Sequence, residues 1–382
     1  MELWNNGTME QIKDWLIFSP SDVDLDRSPL RASLGRVTYV LGAFNPGMAR
    51  LPNGNLLLMV RIAEALSEPV KEGFIRTIRW EDGKYLLDAY SLDEVETDDP
   101  RKFTLKRYKP NIVIALTSLS WLLPVEISPD GRSIVEIHYD KAVAPDRSSQ
   151  EYGIEDARIS KIGDKYYMTT CTVSSERQAT TLFESHDGLN YRFKGIILDH
   201  QNKDMLLFNE KVGNDYYALT RPLGSLYFMT GKNLEWMPGP TINLAVSPDL
   251  MHWKPADEAF IRPRRGSVFS KRIGGGTSPL LTEKGWLMLY HGVEDKGKVG
   301  IYRTYWAMLD KNEPWRILQN HDSSPLLEAM VSLTEKMKER IYLENVVFTT
   351  GIAEYDDHFI VASGELDLAC RISLIPKKTF GL

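Results

Sequence analysis

Two adjacent acids and an arginine stand directly before a predicted β-hairpin in the stretch YGIEDARISKIGDKYYMTTCT, residues 152–172. If Asp156 faces a narrow channel beside Glu155 and apolar residues, desolvation and like-charge repulsion raise its pKa. A raised pKa suits a general acid that donates a proton near neutral pH. The local alternative is that Asp156 pairs with Arg158 in a turn before the strand, where Asp is common.

A second set of residues could bind an anion. Arg61, Lys211 and Arg221 lie near the ends of predicted strands. Arg supplies bidentate hydrogen bonds to phosphate, and Lys supplies a point charge. Taken alone, each is typical of a solvated charge at a strand end. Aromatic residues such as Tyr290 and Phe348 could stack on a sugar, although most aromatic side chains of a β-rich protein lie in its core.

Motifs for metal binding and for serine catalysis are absent from the sequence. It has no HExxH, no Cys/His spacing typical of zinc and no GxSxG, and it contains only 7 histidines. RIGGGTSP, residues 272–279, is Gly-rich but lacks the GK[ST] of a phosphate-binding P-loop. It indicates a close approach of the backbone to a ligand or to a channel. We therefore expect chemistry based on carboxylates and cations, with no metal and no cofactor.

The bulk composition permits a soluble enzyme. A chain of 382 residues can bury a substantial core, and a net charge of −6 gives no electrostatic reason to expect nucleic acid. No apolar run approaches the roughly 18 residues of a membrane span, and the N-terminus does not resemble a signal peptide. Cys171 and Cys370 lie in apolar runs typical of buried free thiols. We expect a cytoplasmic protein without nucleic-acid or membrane partners, and a homo-oligomer is compatible with the sequence.

The elements that must position these residues form an internal repeat. Short alternating strands separated by turns predict an all-β fold. A strand-turn-strand unit recurs five times, with turns near Gly54, Gly163, Gly213, Gly285 and Asp357. Such repetition predicts a five-bladed β-propeller with short helical additions. The segments SLSWLLPVEISPDG and RSIVEIHYD fill the long first gap as additional strands.

One domain is expected over residues 1–382. It would include an N-terminal extension of about residues 1–35 and a helical insertion of about residues 328–343. The helix candidates are TMEQIKDWLIF and SLTEKMKERIYL. Corresponding strand ends of a propeller converge on one channel. The residues expected to face it are Asn45, Glu155, Asp156, Lys203, Asp204, residues 274–276 and residues 347–350.

The ordered motifs resemble glycoside hydrolase family 130, the β-mannoside phosphorylases and β-1,2-mannosidases. The resemblance runs from about residue 44 to residue 367 through NPGMARLPNGNLLLMVR, GIEDARISKIGDKYYMTTCT, KDMLLFNEKVGNDYYALTRP, GPTINLAVSPDLMHW, GGGTSPLLTEKGWLMLYHGV and VVFTTGIAEYDDHFIVASGELD. It implies a five-bladed propeller and inversion at a mannose anomeric carbon. It also implies that Asp156 is the acid, acting through a hydroxyl of the bound sugar. The residues at its mannose-binding positions are Asn45, Arg61, Glu155, Tyr290, Phe348 and Asp367.

The resemblance favours phosphorolysis, with inorganic phosphate as co-substrate. Lys211 and Arg221 match phosphate-binding cations of the family's phosphorylases, and Arg177 is a candidate third. The expected product is α-mannose 1-phosphate, released from β-mannosides and above all from β-1,2-mannooligosaccharides. Two departures weaken the match: Thr220 stands where many members have His, and SSER, residues 174–177, does not clearly reproduce the family's phosphate-binding Arg.

Other reactions remain open at this point. An inverting hydrolase needs a second carboxylate roughly 6.5–9.5 Å from the acid, which Glu210 or Glu176 could supply. Related mannosyltransferases and a non-catalytic carbohydrate-binding propeller are the remaining alternatives. We expect an enzyme whose partners are a mannose-containing oligosaccharide and phosphate. The loops LGSLYFMTGKNLEW and RPRRGSVFSKR are expected to select the aglycone.

Overall fold

The computed structural model describes residues 11–35, 37–224, 231, 234–297 and 299–382. Within these ranges the chain forms 27 strands and a few short helices, so the prediction of an all-β fold is confirmed. The α-helices are α1 (Arg31–Leu34) and α2 (Val331–Thr334). The 3-10 helices are Pro20–Asp22, Leu25–Arg27, Leu92–Glu94, Lys106–Tyr108, Tyr139–Lys141, Ser148–Gln150, Glu335–Arg340 and Lys377–Phe380. Among the helices in these ranges, none is long and apolar enough to cross a membrane.

The first part of the chain contains a long hairpin followed by an insertion. After β1 (Lys13–Phe18), the hairpin strands are β2 (Thr38–Arg50) and β3 (Leu56–Leu66). The insertion forms two three-stranded sheets, which are β4 (Val70–Lys71), β5 (Phe74–Glu81) and β6 (Lys84–Ser91), then β7 (Val95–Asp99), β8 (Lys102–Leu105) and β9 (Ile114–Leu116). The chain then returns to β3 with β10 (Ser118–Ile127) and β11 (Ile134–Ile137), the two strands predicted for the first gap.

The next four strands join the first hairpin in one eight-stranded sheet. They are β12 (Gly153–Ile162), β13 (Lys165–Val173), β14 (Gln178–Ser185) and β15 (Arg192–Leu198). The strand order is β15-β14-β13-β12-β10-β3-β2, with β11 on β10. The only link between β10 and β12 is one parallel pair, Ser120 with Gly153. The sheet therefore consists of two antiparallel groups of four strands.

The remaining strands form three further sheets. The first contains β16 (Asn202–Leu207), β17 (Tyr216–Pro222), β18 (Ile242–Ser247) and β19 (Lys254–Ile261). The second contains β20 (Arg272–Gly275), β21 (Leu280–Thr282), β22 (Gly285–Glu294), β23 (Ile301–Leu309) and β24 (Ile317–His321). The third contains β25 (Val347–Tyr355), β26 (His358–Glu365) and β27 (Ala369–Pro376), and β1 pairs with the free edge of β27.

The predicted N-terminal helix is wrong over the residues that can be compared. Its last six residues form β1, which runs antiparallel to β27 from Lys13 opposite Leu374 to Phe18 opposite Cys370. The free edge of β27 offers backbone hydrogen bonds, and a local helical pattern cannot report that partner. Residues 1–10 of the expected extension lie outside the described residues. The second helix candidate is shorter than expected, since helical structure there ends at Arg340.

The hairpin turns lie where the repeat predicted them. Gly54, Gly163, Gly213 and Gly285 have positive φ angles of 89°, 62°, 63° and 136°, which glycine adopts at no steric cost. Together with the turn at Asp357, they connect β2 to β3, β12 to β13, β16 to β17, β21 to β22 and β25 to β26. Core side chains fill the space between neighbouring sheets. Both cysteines are buried and free, as expected.

Strands of successive units contact one another, and three of the first strands are interrupted at corresponding places. β2 contacts β12, β12 contacts β16, β16 contacts β20, and β25 contacts both β22 and β2. Asn45, Asp156 and Asp204 have φ angles of 49°, 52° and 50°, and the register of each strand with its neighbour shifts there. Asn and Asp tolerate this left-handed conformation, and such a β-bulge redirects a side chain out of the regular alternation. The bulges thus take three polar side chains out of the regular alternation of their strands.

Candidate active site

A cavity of about 740 Å³ opens where the first strands converge. Its walls include Asn45 on β2, Asp156 on β12, Lys203 on β16, Arg272 on β20 and Phe348 on β25. The insertion adds a further wall from β6, β8 and β9. Residues that are far apart in the sequence therefore line one pocket of small-ligand size.

Asp156 is held by residues from two neighbouring strands. Asn45 Nδ2 and Arg61 Nη1 donate to Asp156 Oδ1 at 2.9 and 3.0 Å. Arg158 does not pair with this carboxylate, because its Nη1 donates to the main-chain oxygen of Asp156 at 2.9 Å. The alternative of a local Asp156–Arg158 ion pair is therefore wrong. The bulge turns the carboxylate away from its own strand and toward the cavity.

The expectation that the pKa of Asp156 is raised is also wrong. Burial does oppose ionisation, but the positive charges of Arg61, Lys203 and Arg158 outweigh it and hold the pKa of Asp156 well below its usual range. The hydrogen bond from Asn45 acts in the same direction. Among these neighbours Asp156 is consequently a carboxylate, and it must gain a proton before it can act as an acid.

Glu155 is held by two cations, and one of them, Arg61, also holds Asp156. Arg61 Nη2 donates to Glu155 Oε1 at 2.9 Å, and Lys203 Nζ donates to Glu155 Oε2 at 2.8 Å. Arg61 Nε donates to Ser120 Oγ at 2.9 Å, which fixes the plane of the guanidinium. Burial again favours the neutral acid, but Arg61 and Lys203 keep the pKa of Glu155 below its ordinary value. One guanidinium thus bridges both acids.

Asp367 differs from these two acids. Its backbone has a φ of 51°, the Tyr342 hydroxyl donates to its main-chain oxygen at 2.7 Å, and Arg101 Nη1 lies 3.7 Å from its carboxylate. Burial raises the pKa of Asp367 to about 6, and the positive charges of Arg101 and Arg61 only partly offset this effect. Among the buried acids of the cavity, the pKa values of Glu155 and Asp156 are therefore lowered, whereas that of Asp367 is raised.

Cations line the same cavity. Lys203 and Arg221 face each other across the β16–β17 pair, and both are at the cavity end of that hairpin. Arg272 lies over the ring of Tyr302, and Arg177 is exposed at the cavity wall beside Glu176. This arrangement can hold an anion close to Asp156.

A family model matches residues 117–380, and its description is beta-1,4-mannooligosaccharide phosphorylase of glycoside hydrolase family 130. The chain belongs to glycoside hydrolase family 130. The resemblance inferred from the motifs is therefore confirmed, and the match covers more than half of the chain.

Similar proteins match this family 130 chain over most of its length. The β-1,2-mannobiose phosphorylase of Listeria innocua is 33% identical over 353 residues, which are 91% of this chain and 92% of the relative. The 1,2-β-oligomannan phosphorylase of a Thermoanaerobacter species is 29% identical over 256 residues, 66% of this chain and 77% of the relative. The structure of the Listeria innocua β-1,2-mannobiose phosphorylase with β-1,2-mannobiose superposes with a TM-score of 0.79 at 30% identity, covering 97% of this chain and 98% of that one.

The structure brings together most of the residues predicted for the family 130 site. Those that line the cavity are Asn45, Arg61, Glu155, Asp156, Glu176, Arg177, Arg221, Phe348 and Asp367. Their roles in binding and catalysis stay predictions.

Lys211 and Glu210 lie outside this site. Both are exposed in the turn region between β16 and β17, at the end of the hairpin opposite Lys203 and Arg221, and neither lines the cavity. The ammonium of Lys211 lies 4.5 Å from the ring centre of Tyr216. The open end of the β16–β17 hairpin faces the cavity and its turn lies away from it. The sequence did not indicate which end faces the cavity, so Lys211, near the turn, was predicted to bind phosphate. The lysine of this hairpin that lines the cavity is Lys203.

Tyr290 is also outside the cavity. Its side chain is buried in the core, stacks on Tyr305 and donates its hydroxyl to Asn320 Oδ1 at 2.7 Å. Side chains alternate along β22, so the next residue, His291, points to the other face and packs against Phe348. The mannose-binding position assigned to Tyr290 is therefore corrected.

Several lining residues were missed by the sequence analysis. Arg101 comes from the insertion, which has no counterpart in the other repeats, and Tyr302 and Tyr342 lie in segments without a motif. Arg272 is the first residue of the Gly-rich stretch RIGGGTSP, and this position could have indicated that it lines the cavity. The loop LGSLYFMTGKNLEW has residues 225–230 and 232–233 outside the described residues.

One group of potential metal ligands occurs among the described residues, and it lies outside the cavity. Glu126, Glu136 and His138 meet where β10 pairs with β11. His138 Nε2 is 3.1 Å from Glu126 and His138 Nδ1 is 3.6 Å from Glu136, so the ring already bridges both carboxylates. None of the three residues lines the cavity. The cavity itself offers carboxylates that are already held by arginine and lysine.

Proposed function

We propose that this protein is an inverting β-1,2-mannoside phosphorylase. It would transfer the mannosyl group of a β-1,2-mannooligosaccharide to inorganic phosphate and release α-mannose 1-phosphate. The observation that carries this proposal is the set of cations Lys203, Arg221, Arg272 and Arg177 in the cavity that also holds Asp156. Phosphate is already nucleophilic, so it needs positioning and charge neutralisation instead of a base. Three relatives that are covered over 92%, 77% and 83% of their own length carry β-1,2 names, and the relatives with 4-linked names are covered over 54% and 66%, which supports this linkage over β-1,4.

Asp156 would donate the proton that the leaving sugar oxygen requires. The surrounding cations alone keep it ionised. A phosphate anion beside Lys203 and Arg221 offsets those positive charges, and burial then favours the protonated carboxyl group. As the C–O bond to the aglycone breaks, the proton passes through a mannose hydroxyl to the leaving oxygen. A phosphate oxygen forms the new bond on the opposite face, which inverts the anomeric carbon.

The remaining residues of the cavity would hold the mannosyl group. Asn45, Arg61, Glu155 and Asp367 offer donors and acceptors suited to sugar hydroxyls, and Phe348 provides an apolar wall. The Arg61 guanidinium fixes both Glu155 and Asp156, so sugar contacts and the proton donor share one support. No cofactor enters this scheme.

Hydrolysis is the second candidate, and Glu176 is the observation that favours it. This exposed carboxylate lines the cavity, whereas Glu210 does not. If Glu176 activated water as a base, Glu176→Gln would abolish turnover. If the protein is a phosphorylase, Glu176→Gln should keep its phosphate-dependent turnover within about threefold of wild type. Glu210→Gln is the matched control, because Glu210 does not line the cavity.

The deciding experiment supplies β-1,2-mannobiose with and without inorganic phosphate and separates mannose from mannose 1-phosphate. We expect mannose 1-phosphate only when phosphate is present. Release of free mannose at an equal rate in phosphate-free buffer would establish hydrolysis instead. Incubation of mannose 1-phosphate with mannose tests the reverse reaction. This reaction forms a β-mannoside and phosphate, and a β-mannoside is also the product expected of a mannosyltransferase.

We further propose that the fold is a closed five-bladed β-propeller in one domain. Two observations support five blades: the eight-stranded sheet divides into two groups of four, and three separate sheets follow. The contacts between first strands return from β25 to β2, which is the contact a closed ring requires. β1 would complete the last blade from the other end of the chain. A cytoplasmic location and a homo-oligomer stay predictions.

A further inference from the structure

We propose that Asp204 is a positioning residue that holds one arginine at the phosphate and a second arginine beneath the proton donor. This inference rests on the proposed phosphorylase function. Asp204 belongs to none of the residue sets predicted to bind mannose or phosphate. It lies at the bulge of β16, one residue after Lys203, and its side chain is 1% exposed.

The carboxylate of Asp204 lies between two guanidinium groups. Its Oδ2 is 2.6 Å from Arg221 Nε, and its Oδ1 is 3.6 Å from Arg158 Nη2. Both guanidinium groups are buried, and each disfavours the charge of the other, since Arg221 lowers the pKa of Arg158. Burial is the main cause that lowers the pKa of Arg158, and the negative charges of Asp204 first and Asp156 second only partly offset burial and the repulsion from Arg221. A buried carboxylate with this role is costly to remove because the cations remain.

The two arginines act at different places. Arg158 donates from Nη1 to the main-chain oxygen of Asp156 at 2.9 Å and from Nε to the main-chain oxygen of Gly276 at 2.6 Å. It thereby supports the bulged backbone from which the proton donor projects. Arg221 lines the cavity opposite Lys203 on the neighbouring strand. Through these contacts one buried carboxylate sets the positions of groups on both sides of the reacting bond.

His291 forms the third side of this buried cluster. Its Nε2 is 3.8 Å from Asp204 Oδ2. Burial lowers the pKa of His291 far below its usual value, and Arg221, Arg158 and Arg272 lower it further. The ring is consequently neutral and adds no third positive charge. It packs beside Arg221 and limits the space in which that side chain can move.

The Gly-rich stretch makes room for the cluster. A Cβ atom on Gly274 would lie 2.5 Å from His291 Cε1 and 2.6 Å from Arg221 Cδ. A Cβ atom on Gly276 would lie 2.7 Å from the main-chain oxygen of Leu289. At Gly274 the backbone therefore lies directly against His291 and Arg221, and at Gly276 it lies against the backbone of Leu289. A side chain at either position would collide with these groups.

The test compares Asp204→Asn with Asp215→Asn, the same change in the turn region of the same hairpin. We expect Asp204→Asn to raise the KM for inorganic phosphate about tenfold or more and to lower kcat, while the KM for β-1,2-mannobiose stays within about threefold. Asp215→Asn should match wild type. An unchanged phosphate KM, or equal losses for both substrates together with a large fall in Tm, would overturn the proposal.

A double-mutant cycle shows whether Asp204 acts through Arg221. In the Arg221→Ala background, Asp204→Asn should change the phosphate KM by less than about twofold. Full additivity of the two losses would contradict the inference. If Asp204→Asn does not fold, Asp204→Glu keeps the charge but displaces the guanidinium, and it should still raise the phosphate KM selectively. A wild-type phosphate KM in that variant would then count against positioning.

Phosphate binding measured without turnover separates this inference from the proposed function. Wild-type protein should show a phosphate-dependent rise in Tm that Asp204→Asn reduces and Asp215→Asn retains. If wild type binds phosphate but releases free mannose without it, the phosphorylase assignment fails although Asp204 still positions Arg221. If wild type produces mannose 1-phosphate and the phosphate-dependent Tm rise is equal in Asp204→Asn, only the inference about Asp204 fails.

Discussion

Asp156 and Arg158 lie two residues apart on β12, but their side chains do not pair. Arg158 Nη1 donates to the main-chain oxygen of Asp156 at 2.9 Å, whereas the carboxylate accepts from Arg61 Nη1 at 3.0 Å. The φ of 52° at Asp156 directs its carboxylate to the neighbouring strands. Arg158, which the sequence suggests as a local ion-pair partner, therefore supports the backbone at Asp156. The carboxylate of Asp156 is held by Asn45 and Arg61.

Asp156→Asn should lower kcat by about a hundred- to ten-thousandfold, because the amide cannot donate the proton that the leaving oxygen needs. The fold should survive, since the retained side-chain oxygen can still accept from Asn45 and Arg61. Production of mannose 1-phosphate and thermal unfolding provide the two measurements. Asp164→Asn, in the turn that follows β12, is the control and should behave as wild type. Near-normal turnover of Asp156→Asn would exclude it as the proton donor.

Lys203→Ala and Lys211→Ala remove the same charge from opposite ends of one hairpin. Lys203 lines the cavity, so its loss should raise the KM for phosphate about tenfold or more and affect the sugar less. Lys211 lies over Tyr216 in the turn region, so its loss should leave both KM values within about twofold. Initial rates at varied phosphate and varied mannobiose check both variants. A larger phosphate effect in Lys211→Ala would restore the assignment made from the sequence.

Asp367→Asn should change the pH dependence of stability. Burial first, opposed by Arg101 and Arg61, raises the pKa of Asp367 from 3.8 to about 6. Its stabilising contribution is therefore complete below about pH 4 and is lost as the pH rises through 6. The neutral amide removes the cost of the buried charge, so at pH 8 the variant should gain up to about 3 kcal/mol in free energy of unfolding.

The difference between Asp367→Asn and wild type should shrink toward zero near pH 4, where Asp367 of the folded protein is neutral like the amide. Denaturant unfolding at pH 4, 6 and 8 measures it. Asp357→Asn, in the last hairpin turn, controls for the general loss of a negative charge. A gain that is the same at all three pH values would show that the titration of Asp367 is not its cause.

Tyr290→Phe should affect stability without affecting sugar binding. The hydroxyl of the buried Tyr290 donates to Asn320 Oδ1 in a partly buried hydrogen bond, so its loss should cost about 1 kcal/mol of unfolding free energy. Tyr342→Phe is the comparison, because the Tyr342 hydroxyl supports Asp367 and its ring lines the cavity. We expect the KM for mannobiose to rise severalfold in Tyr342→Phe and to stay unchanged in Tyr290→Phe. A raised KM in Tyr290→Phe would place that residue back in the site.

Local conformational preferences allowed the hairpins of the fold to be predicted from the sequence. Turn glycines need positive φ, and strands alternate their side chains, so five hairpins and their turn positions were predictable without a structure. The ordered motifs also indicated the family and brought Asn45, Arg61 and Asp156 into one expected site. β1 was misread as a helix because its partner, the edge of β27, is more than 350 residues away in the sequence.

Partners and charges depended on the tertiary structure. Which end of the β16–β17 hairpin meets the other units decides that Lys203, and not Lys211, reaches the cavity. Whether Asp156 is protonated depends on a balance between burial and three cations from β3, β12 and β16. The sequence by itself determined which residue types recur at the strand starts and which family they belong to. Only the tertiary structure decided which of those groups touch, because Coulomb and hydrogen-bond energies depend on distances that spacing along the chain does not contain.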